Sequence, residues 1–393
     1  MMDAYRKLKA ELLNELKAIL SYWSIYGIDD DHGGFVGRRD FHNNLVPEAP
    51  KGIILNTRLL WSFSAAANFL KSKEYESFCH RAYRYLNTYF RDTLHEGVFW
   101  EVDHAGTPIN QRKQVYAQAF AIYALTEYYR SSHKKEALDW AVSLFKSLET
   151  YAKDSQYSGY FEAFHKDWSP IGDMRLSKKD MNSAKSMNTH LHILEAYTNL
   201  LRVHNNEEVK HALRQLIILF QDTLLDSSNH YGLFFDEKWK LMSSTVSFGH
   251  DIETAWLVIE AAKALNDNEL VEQTQKTAIR VIDTFVLEAL DTEGAVMNER
   301  ETTSDRLDTD RHWWPQVEAL LGLDLAYKLT QDSGYIKKSL DIWNFTKKYL
   351  IDHKNGEWHF RVDAYGNPYT QEDKVSMWKA PYHTTRACIL MNQ

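Results

Sequence analysis

The segment GYFEAF, residues 159–164, contains the pattern from which the fold can be predicted. It begins with a glycine, continues with two or three apolar or aromatic residues, and usually ends with an acidic or polar residue. Each copy is typical of a short strand or hairpin that a glycine interrupts. Five further copies follow the same outline: GGFVGRRD at 33–40, GVFWEVD at 97–103, GLFFDE at 232–237, GAVMNE at 294–299 and GEWHFRVD at 356–363.

Two kinds of helical pattern fill the intervals between these copies. One kind is amphipathic, as in KEALDWAVSLFKSLETYA at 135–152, and predicts a helix with one face in water. The other kind is apolar nearly all round, as in HDIETAWLVIEAAKAL at 250–265, and predicts a buried helix. When the N-terminal segment is counted as the first outer helix, six outer and six inner helices alternate along the chain.

This alternation predicts an all-α (α/α)6 barrel, a toroid of six inner and six outer helices with short β-hairpins in the connecting loops. Only seven prolines occur, and no linker rich in Pro, Ser or Gly interrupts the pattern. We therefore expect one catalytic domain over residues 1–393. The competing architecture is an open solenoid of helical hairpins.

The composition narrows the class of protein. A formal net charge of -8 gives no basic surface for nucleic acid. The 12 Trp and 22 Tyr can form flat walls for sugars, although most of them are expected in the core. No segment predicts a signal peptide or a membrane span, and the two cysteines suggest neither zinc nor a disulfide framework. We expect a cytoplasmic monomer or weak homodimer.

Polar and aromatic residues collect near the N-terminal ends of the predicted inner helices. Because every inner helix enters the ring from the same side, these residues should converge at one end of the barrel. A single histidine at a helix start is more often structural, but convergence of several favours a functional site. The set comprises Asn56, Arg58, Tyr116, Asn188, His192, His250, Glu253, Trp314, Glu318, His383 and Arg386.

Helical spacing selects among the candidates. His190 and His192 point about 200° apart, so they cannot both face inward. Asn188 shares a face with His192 at i, i+4, which favours His192 for the site and His190 for structural support. His250 and Glu253 share a face at i, i+3, and Trp256 continues it.

Two other classes of site remain open at this point. A metal site would need several carboxylates from facing helices or an H-E-x-x-H segment, and neither is present, so no metal is expected. A glycoside hydrolase would use two carboxylates, for which Glu253, Glu318, Asp251 and Glu162 are candidates. Histidine fits better a reaction that moves protons in both directions near neutral pH.

Five segments in order resemble the N-acylglucosamine 2-epimerase superfamily, and within it most closely the cellobiose 2-epimerases. The resemblance extends from about residue 5 to the C-terminus. It implies an (α/α)6 barrel, as the repeat count also does, and an enzyme that interconverts glucose and mannose configuration at C2 without a cofactor. The segments are NTRLLWSFSAAA at 56–67, MNTHLHILEAY at 187–197, SFGHDIETAWL at 247–257, RHWWPQVEAL at 311–320 and WKAPYHTTRACI at 378–389.

The resemblance also implies roles for individual residues. His250 and His383 would be the two acid/base histidines, and His192 the third functional histidine. Glu253 would orient His250, and His192 would stabilise the oxyanion together with Arg58. The residues expected to hold the substrate are Arg58, Tyr116, Asn188, Glu253, Trp256, Trp313, Trp314, Glu318 and Trp378.

Several functions share this scaffold and stay open. A mannose 2-epimerase, an N-acetylglucosamine 2-epimerase and an aldose–ketose isomerase would use the same enediolate chemistry. A glycoside hydrolase and a non-catalytic sugar-binding toroid are the alternatives from other classes. If a histidine is the base, we expect the rate to fall on the acid side within pH 5 to 8 as it becomes protonated.

Overall fold

Twelve α-helices alternate along the chain between an outer and an inner ring in the computed structural model, which describes residues 1–393. The outer helices are α1 (Met2–Tyr26), α3 (Glu76–Tyr85), α5 (Lys135–Ser147), α7 (Glu207–Leu219), α9 (Asn268–Glu288) and α11 (Ser333–Phe345). The inner helices are α2 (Ile53–Leu70), α4 (Val115–Ser132), α6 (Met187–Val203), α8 (Phe248–Ala264), α10 (Trp313–Thr330) and α12 (Tyr382–Leu390). A 3₁₀ turn, Lys73–Tyr75, precedes α3, and π-helical turns follow four outer helices at Leu86–Phe90, Leu148–Ala152, Phe220–Leu224 and Thr346–Leu350.

The inner helices form a closed ring. Each packs against the next from α2 to α12, and α12 also packs against α2. This last contact excludes the open solenoid, in which the terminal helices would not meet. The predicted (α/α)6 barrel is therefore confirmed.

Burial follows the two helical patterns of the sequence. Every residue of α4 from Val115 to Tyr128 is buried, as expected for a helix that is apolar nearly all round. In the outer helix α7, burial is confined to one stripe that includes Val209, Ala212 and Leu216. A helix with one side in water buries residues at intervals of three or four, as α7 does.

Short antiparallel strands join the repeats at one rim. Five inner helices are directly preceded by a strand, and each of these strands pairs with a strand that follows the next outer helix. The N-terminal ends of the inner helices are thereby held at the same rim. The strands are β1 (Lys51–Gly52), β2 (Glu101–Val102), β3 (Pro108–Asn110), β4 (Lys113–Gln114), β5 (Ala163–Phe164), β6 (Lys185–Ser186), β7 (Phe234–Phe235), β8 (Thr245–Ser247), β9 (Glu299–Glu301), β10 (Arg306–Asp308), β11 (Arg311–His312) and β12 (Arg361–Val362).

All six glycine-containing copies lie in hairpins closed by an antiparallel bridge, as predicted. Gly159 illustrates why glycine recurs there. Its φ is +72°, and a Cβ at this position would lie 2.4 Å from the ring of Trp239 and 2.7 Å from Nε2 of His190. Any other residue would meet both a steric clash and backbone strain.

Buried ion pairs, which the sequence analysis did not predict, fasten five of the hairpins. In each, an aspartate just after an outer helix accepts from a lysine or arginine that comes before the next inner helix. Both partners are nearly inaccessible to water. The pairs are Lys51–Asp29 at 2.6 Å, Lys113–Asp92 at 2.6 Å, Lys185–Asp154 at 2.7 Å, Lys374–Asp352 at 2.5 Å and Arg311–Asp291.

The two cysteines are separate buried thiols. Burial raises the pKa of Cys79 to about 12, so this thiol stays protonated and unreactive at neutral pH. None of the helices has the length and apolar character needed to cross a membrane.

Replacing Lys185 with Met should lower the free energy of unfolding by about 3 to 5 kcal/mol, because it leaves a buried aspartate without its counter-charge. The Lys185 ammonium donates to Asp154 Oδ2 at 2.7 Å and to the carbonyls of Ser158 and Glu237. Urea unfolding followed by circular dichroism measures the loss. Lys135→Met is the control, since the Lys135–Asp139 pair is exposed and should change stability by less than about 0.5 kcal/mol. Equal losses in both variants would contradict a structural role for the buried pair.

Candidate active site

A cavity of about 170 Å³ lies at the rim where the inner helices begin. Ten of the twelve residues predicted for the site line it, so the expected convergence is present. Phe360 is the one lining residue that the sequence analysis missed. The walls are formed by Arg58, Tyr116, Asn188, His192, His250, Glu253, Trp313, Trp314, Phe360, Trp378 and His383.

One indole contacts both of the histidines assigned to proton transfer. The ring centroid of Trp314 lies 4.9 Å from that of His250 and 5.4 Å from that of His383. Trp313 packs on Phe360 at 4.7 Å and extends this wall. The two imidazoles are therefore fixed against one flat apolar surface.

His250 is supported by a hydroxyl group. Its Nδ1 lies 2.7 Å from Oγ of Ser247, the residue that precedes α8. Burial lowers the pKa of His250 to about 4, so the imidazole is neutral at pH 7. A neutral imidazole is the form that can accept a proton.

The predicted pairing of Glu253 with His250 is wrong. Spacing of i, i+3 puts the two residues on one face, but the buried Arg386 guanidinium attracts the Glu253 carboxylate more strongly than a neutral imidazole does. His250 contacts Ser247. Glu253 Oε1 instead accepts from Arg386 at 2.5 Å and lies 3.9 Å from Nδ1 of His383.

His383 is supported by a carboxylate. Its Nδ1 lies 2.7 Å from Oε1 of Glu318. Because an ionised carboxylate only accepts hydrogen bonds, Nδ1 carries the hydrogen and Nε2 keeps its lone pair. Burial lowers the pKa of His383, with Glu253 acting in the opposite direction.

A buried guanidinium group connects four inner helices beneath the cavity. Arg386 of α12 donates to Glu195 of α6, to Glu253 of α8 at 2.5 Å and to Glu318 of α10 at 2.7 Å. Tyr382 donates its hydroxyl hydrogen to Glu195 at 2.6 Å. The burial of all these groups makes their geometry rigid, because water cannot replace the bonds.

The same network supports His192. Its Nδ1 lies 3.1 Å from Oε2 of Glu195, so the carboxylate fixes the tautomer of the imidazole. Tyr116 and Phe120 pack on the imidazole at centroid distances of 4.9 and 4.6 Å. His192 and Asn188 both line the cavity, as their shared helix face predicts.

Arg58 presents a positive charge without a carboxylate partner. Its guanidinium donates to the Tyr116 hydroxyl at 3.0 Å and to the Trp378 carbonyl at 3.1 Å. It also lies over the rings of Phe120 and Tyr382, at 4.7 and 5.2 Å from their centroids. A fixed cation without a carboxylate partner in a cavity wall is suited to stabilise a negative charge that develops on a ligand.

Two predicted substrate-binding residues lie below the cavity instead of in its wall. Trp256 lies three residues, about 4.5 Å, further along α8 than Glu253. Its Nε1 donates to Oε2 of Glu318 at 3.1 Å, so both residues belong to the supporting network. Trp256 also lines a separate cavity beneath the network, together with Trp61 and Tyr123.

The buried donor set does not suit a divalent metal ion. Ligand atoms of Glu253, Glu318 and His383 lie within 4.8 Å of one another. Both carboxylates, however, already accept from the Arg386 guanidinium, which supplies the positive charge that a metal ion would bring. The same contacts weaken the case for a pair of hydrolytic carboxylates, since neither group is free.

The remaining candidate carboxylates of a hydrolase already accept hydrogen bonds from the backbone. Asp251 accepts from the backbone N–H of Tyr231 at 2.9 Å. Glu162 accepts from the backbone N–H of Ser186 at 2.7 Å and from the Thr189 hydroxyl at 2.6 Å, although burial raises its pKa to about 8. His190 accepts from the backbone N–H of Tyr160 at 2.8 Å, which confirms its predicted supporting role.

A second cavity, of about 430 Å³, shares Asn188 and His250 with the first. Its walls carry polar and charged side chains, among them Asp180, Asn298 and Arg361. The histidine cavity thus has an adjoining polar space on the same rim.

A closed ring of inner helices with histidines and tryptophans gathered at one rim defines an (α/α)6-barrel enzyme with a site suited to sugars. A model of the family described as N-acylglucosamine 2-epimerase (GlcNAc 2-epimerase) matches residues 33–387. The chain belongs to this family of carbohydrate epimerases.

Similarity to individual proteins extends over almost the whole length. The chain is 42% identical over 384 residues to a cellobiose 2-epimerase of Bacteroides fragilis. The matched region covers 97% of this chain and 98% of that protein. It is 36% identical over 385 residues to a cellobiose 2-epimerase of Dictyoglomus turgidum, and the matched region covers 97% of each protein. The solved structure of cellobiose 2-epimerase from Bacillus thermoamylovorans B4167 matches with a TM-score of 0.94 and 37% identity over 98% of each chain. The resemblance carried by the five segments is confirmed.

Replacing Arg386 with Met should lower the free energy of unfolding by about 3 to 5 kcal/mol at pH 8, because three buried carboxylates lose their counter-charge. Those carboxylates would then have raised pKa values in the folded protein, as Glu318 already has. A raised carboxylate pKa means that the deficit grows as pH rises and shrinks towards pH 5. Urea unfolding at the two pH values measures this difference.

The matched control is Arg58→Met, which removes a buried guanidinium that has no carboxylate partner. Its deficit should be nearly the same at pH 5 and pH 8. A deficit of Arg386→Met that is also independent of pH would contradict the role of Arg386 as counter-charge.

Proposed function

We propose that the protein is a cofactor-independent 2-epimerase. It interconverts glucose and mannose configuration at the reducing end of cellobiose and related β-1,4-linked disaccharides. The observation that carries the proposal is the placement of His250 and His383 against one indole, in a cavity that also holds Arg58 and His192. The names of the relatives support the same reaction and substrate.

The chemistry needs two bases and no redox cofactor. In the open-chain sugar the C1 aldehyde acidifies the C2 hydrogen, so a neutral imidazole can remove it and leave a cis-enediolate. A second imidazole, made cationic by the O1 proton that it accepts while water protonates O5 during ring opening, then gives that proton to the opposite face of C2. The first imidazole gives up the proton it took from C2 when the ring closes. The histidine that is the base in one direction is the acid in the other.

Arg58 and His192 stabilise the enediolate oxygens. Arg58 has a positive charge that no carboxylate neutralises, and His192 is held in one tautomer by Glu195. Donors that are already oriented need no rearrangement when charge develops at O1 or O2. Glu318 has the same orienting effect on His383.

The aromatic walls provide stacking surfaces for sugar rings. Trp313, Trp314 and Trp378 line the histidine cavity. The adjoining cavity of about 430 Å³ gives space for the second pyranose of a disaccharide, and this space favours cellobiose over a monosaccharide substrate. A hydrophobic core that extends from Tyr5 to Met391 supports one catalytic domain over residues 1–393.

Incubation with cellobiose in D2O tests the proposal. We expect a disaccharide with a mannose-configured reducing end and deuterium at C2, which mass spectrometry and NMR detect. Free glucose would indicate a hydrolase, a ketose product an aldose–ketose isomerase, and unchanged sugar a binding protein. Mannose and N-acetylglucosamine as parallel substrates distinguish the other epimerases.

His250→Ala and His383→Ala should each lower kcat at least about 100-fold, because each removes one of the two proton-transfer groups. Initial rates of epimerisation measure the loss. His211→Ala is the control, since His211 is exposed on the outer helix α7. Near-normal epimerisation by either active-site variant would refute the two-base mechanism.

The rate should fall on the acid side with a midpoint near pH 4, because burial lowers the pKa of His250 to about 4. Below its pKa the imidazole is protonated and cannot accept the C2 proton, whereas above it the base is fully available. The fall expected within pH 5 to 8 from an ordinary histidine is thereby moved to lower pH. Initial rates from about pH 3.5 to 8, with folding checked by circular dichroism at each pH, test this. A midpoint near 6.5 would contradict it.

A further inference from the structure

One contact recurs where a hairpin meets the first turn of an inner helix. A side chain near the helix start accepts a hydrogen bond from a backbone N–H of the hairpin. In three repeats the acceptor is neutral: Gln118 accepts from Val98 at 2.7 Å, His190 from Tyr160 at 2.8 Å and Gln316 from Val296 at 2.9 Å. In the fourth repeat the acceptor is a carboxylate, Asp251, which accepts from Tyr231 at 2.9 Å.

Asp251 is 2% exposed, so its charge requires a counter-charge close by. His230 supplies it, with Nδ1 at 2.7 Å from Asp251 Oδ2. On its other side, Nε2 of His230 lies 3.2 Å from Oε2 of Glu288 in α9. His230 and Asp251 are buried, and the cluster lies outside the cavities described above and has no part in the proposed chemistry.

The fourth repeat also lacks the permanent cation of its neighbours. The residue two positions before the inner helix is Lys51, Lys113, Lys185 or Arg311 in four of the repeats, and each pairs with a hairpin aspartate. The equivalent residue before α8 is Val246, and the hairpin aspartate is Asp226. The junction that carries His250 is therefore fastened by a titratable cation instead of a permanent one.

We propose that His230 and Asp251 form a positioning pair for His250, and that protonated His230 holds the first turn of α8 in the catalytically competent position. Asp251 follows His250 directly in this turn. Loss of the charge on His230 leaves the buried Asp251 carboxylate uncompensated and loosens its hold on the hairpin. The activity part of the inference rests on the proposed epimerase function.

The groups around His230 set the direction of the pH dependence. Asp251 faces it from α8, Glu288 from α9 and Asp226 from its own hairpin, and Arg300 pairs with Glu288 at 2.6 Å. The carboxylates raise the pKa of His230 against the opposing effect of burial. With a folded pKa above the unfolded value of about 6.5, the stabilisation is complete below that pH and is lost as pH rises through the folded pKa.

The test compares the wild type with Asp251→Asn over pH 6 to 10. Asparagine can still accept from the Tyr231 N–H but needs no counter-charge, as in the repeats that use glutamine. We expect the kcat of the wild type to fall on the alkaline side as His230 loses its proton, with little change in KM. The fall should be about tenfold for each unit by which the pKa of His230 is higher in the catalytically competent state than in the loosened state. In Asp251→Asn this alkaline fall should be absent.

Gln118→Ala is the matched control, because it removes the same kind of contact in a repeat without a titratable pair. Its kcat should be lowered by a similar factor at every pH. The proposal is overturned if the alkaline fall persists in Asp251→Asn, or if Gln118→Ala alters it.

A second measurement needs neither catalytic activity nor the Asp251→Asn variant. NMR of histidine-labelled protein follows the His250 imidazole signal, assigned by its disappearance in His250→Ala. His250 itself does not titrate above neutral pH, so a shift of its signal in the wild type between pH 6 and 10 reports the change at His230. A His250 signal that stays constant overturns the inference, whereas inactivity towards cellobiose with a shifting signal overturns only the proposed function.

Discussion

The guanidinium of Arg386 is the interaction on which the site depends. It joins α12 to α6, α8 and α10 through Glu195, Glu253 and Glu318, all of which are buried. A helix of only nine residues closes the ring, and it does so with this one charge at its centre. Because removing either partner of such a pair strands a buried charge, the four helices are held in one relative position. The histidines above the network derive their geometry from it.

This arrangement separates orientation from proton transfer. The carboxylates orient His192 and His383 and share the single positive charge of Arg386, so the proposed mechanism uses them to support the imidazoles and not to act on the sugar. In the proposed mechanism histidine supplies the reactive groups, and Arg58 supplies a positive charge that no carboxylate pairs with. A related scaffold with an unpaired carboxylate at the cavity would be suited to hydrolysis, whereas this one favours reversible proton transfer at carbon.

The fold and most of the site could be predicted because their signals are local. Apolar periodicity marks inner and outer helices, and parallel inner helices bring their first turns to one rim, so Asn188 and His192 could be placed together. The contacts of Glu253, Trp256 and Glu318 depend on how side chains from different helices meet, and spacing along one helix does not determine that. Glu195 is a different case: it lies at i+3 from His192 in HLHILEAY, and the same rule that was applied to His250 indicates it. Ser247 follows from the lean of helical side chains towards the N-terminus.

The repeats also show how a symmetric scaffold accommodates an asymmetric site. Buried lysine or arginine pairs fix most hairpins to the ring, and these charges do not titrate near neutral pH. A charge that does not change with pH suits junctions that only hold the inner helices at the rim. His250 lies in the repeat where Val246 replaces the cation and where His230 and Asp251 carry the charge instead. A departure from the repeat at a junction without a functional residue would affect stability alone. Here it changes the support of His250, the residue proposed to act at C2.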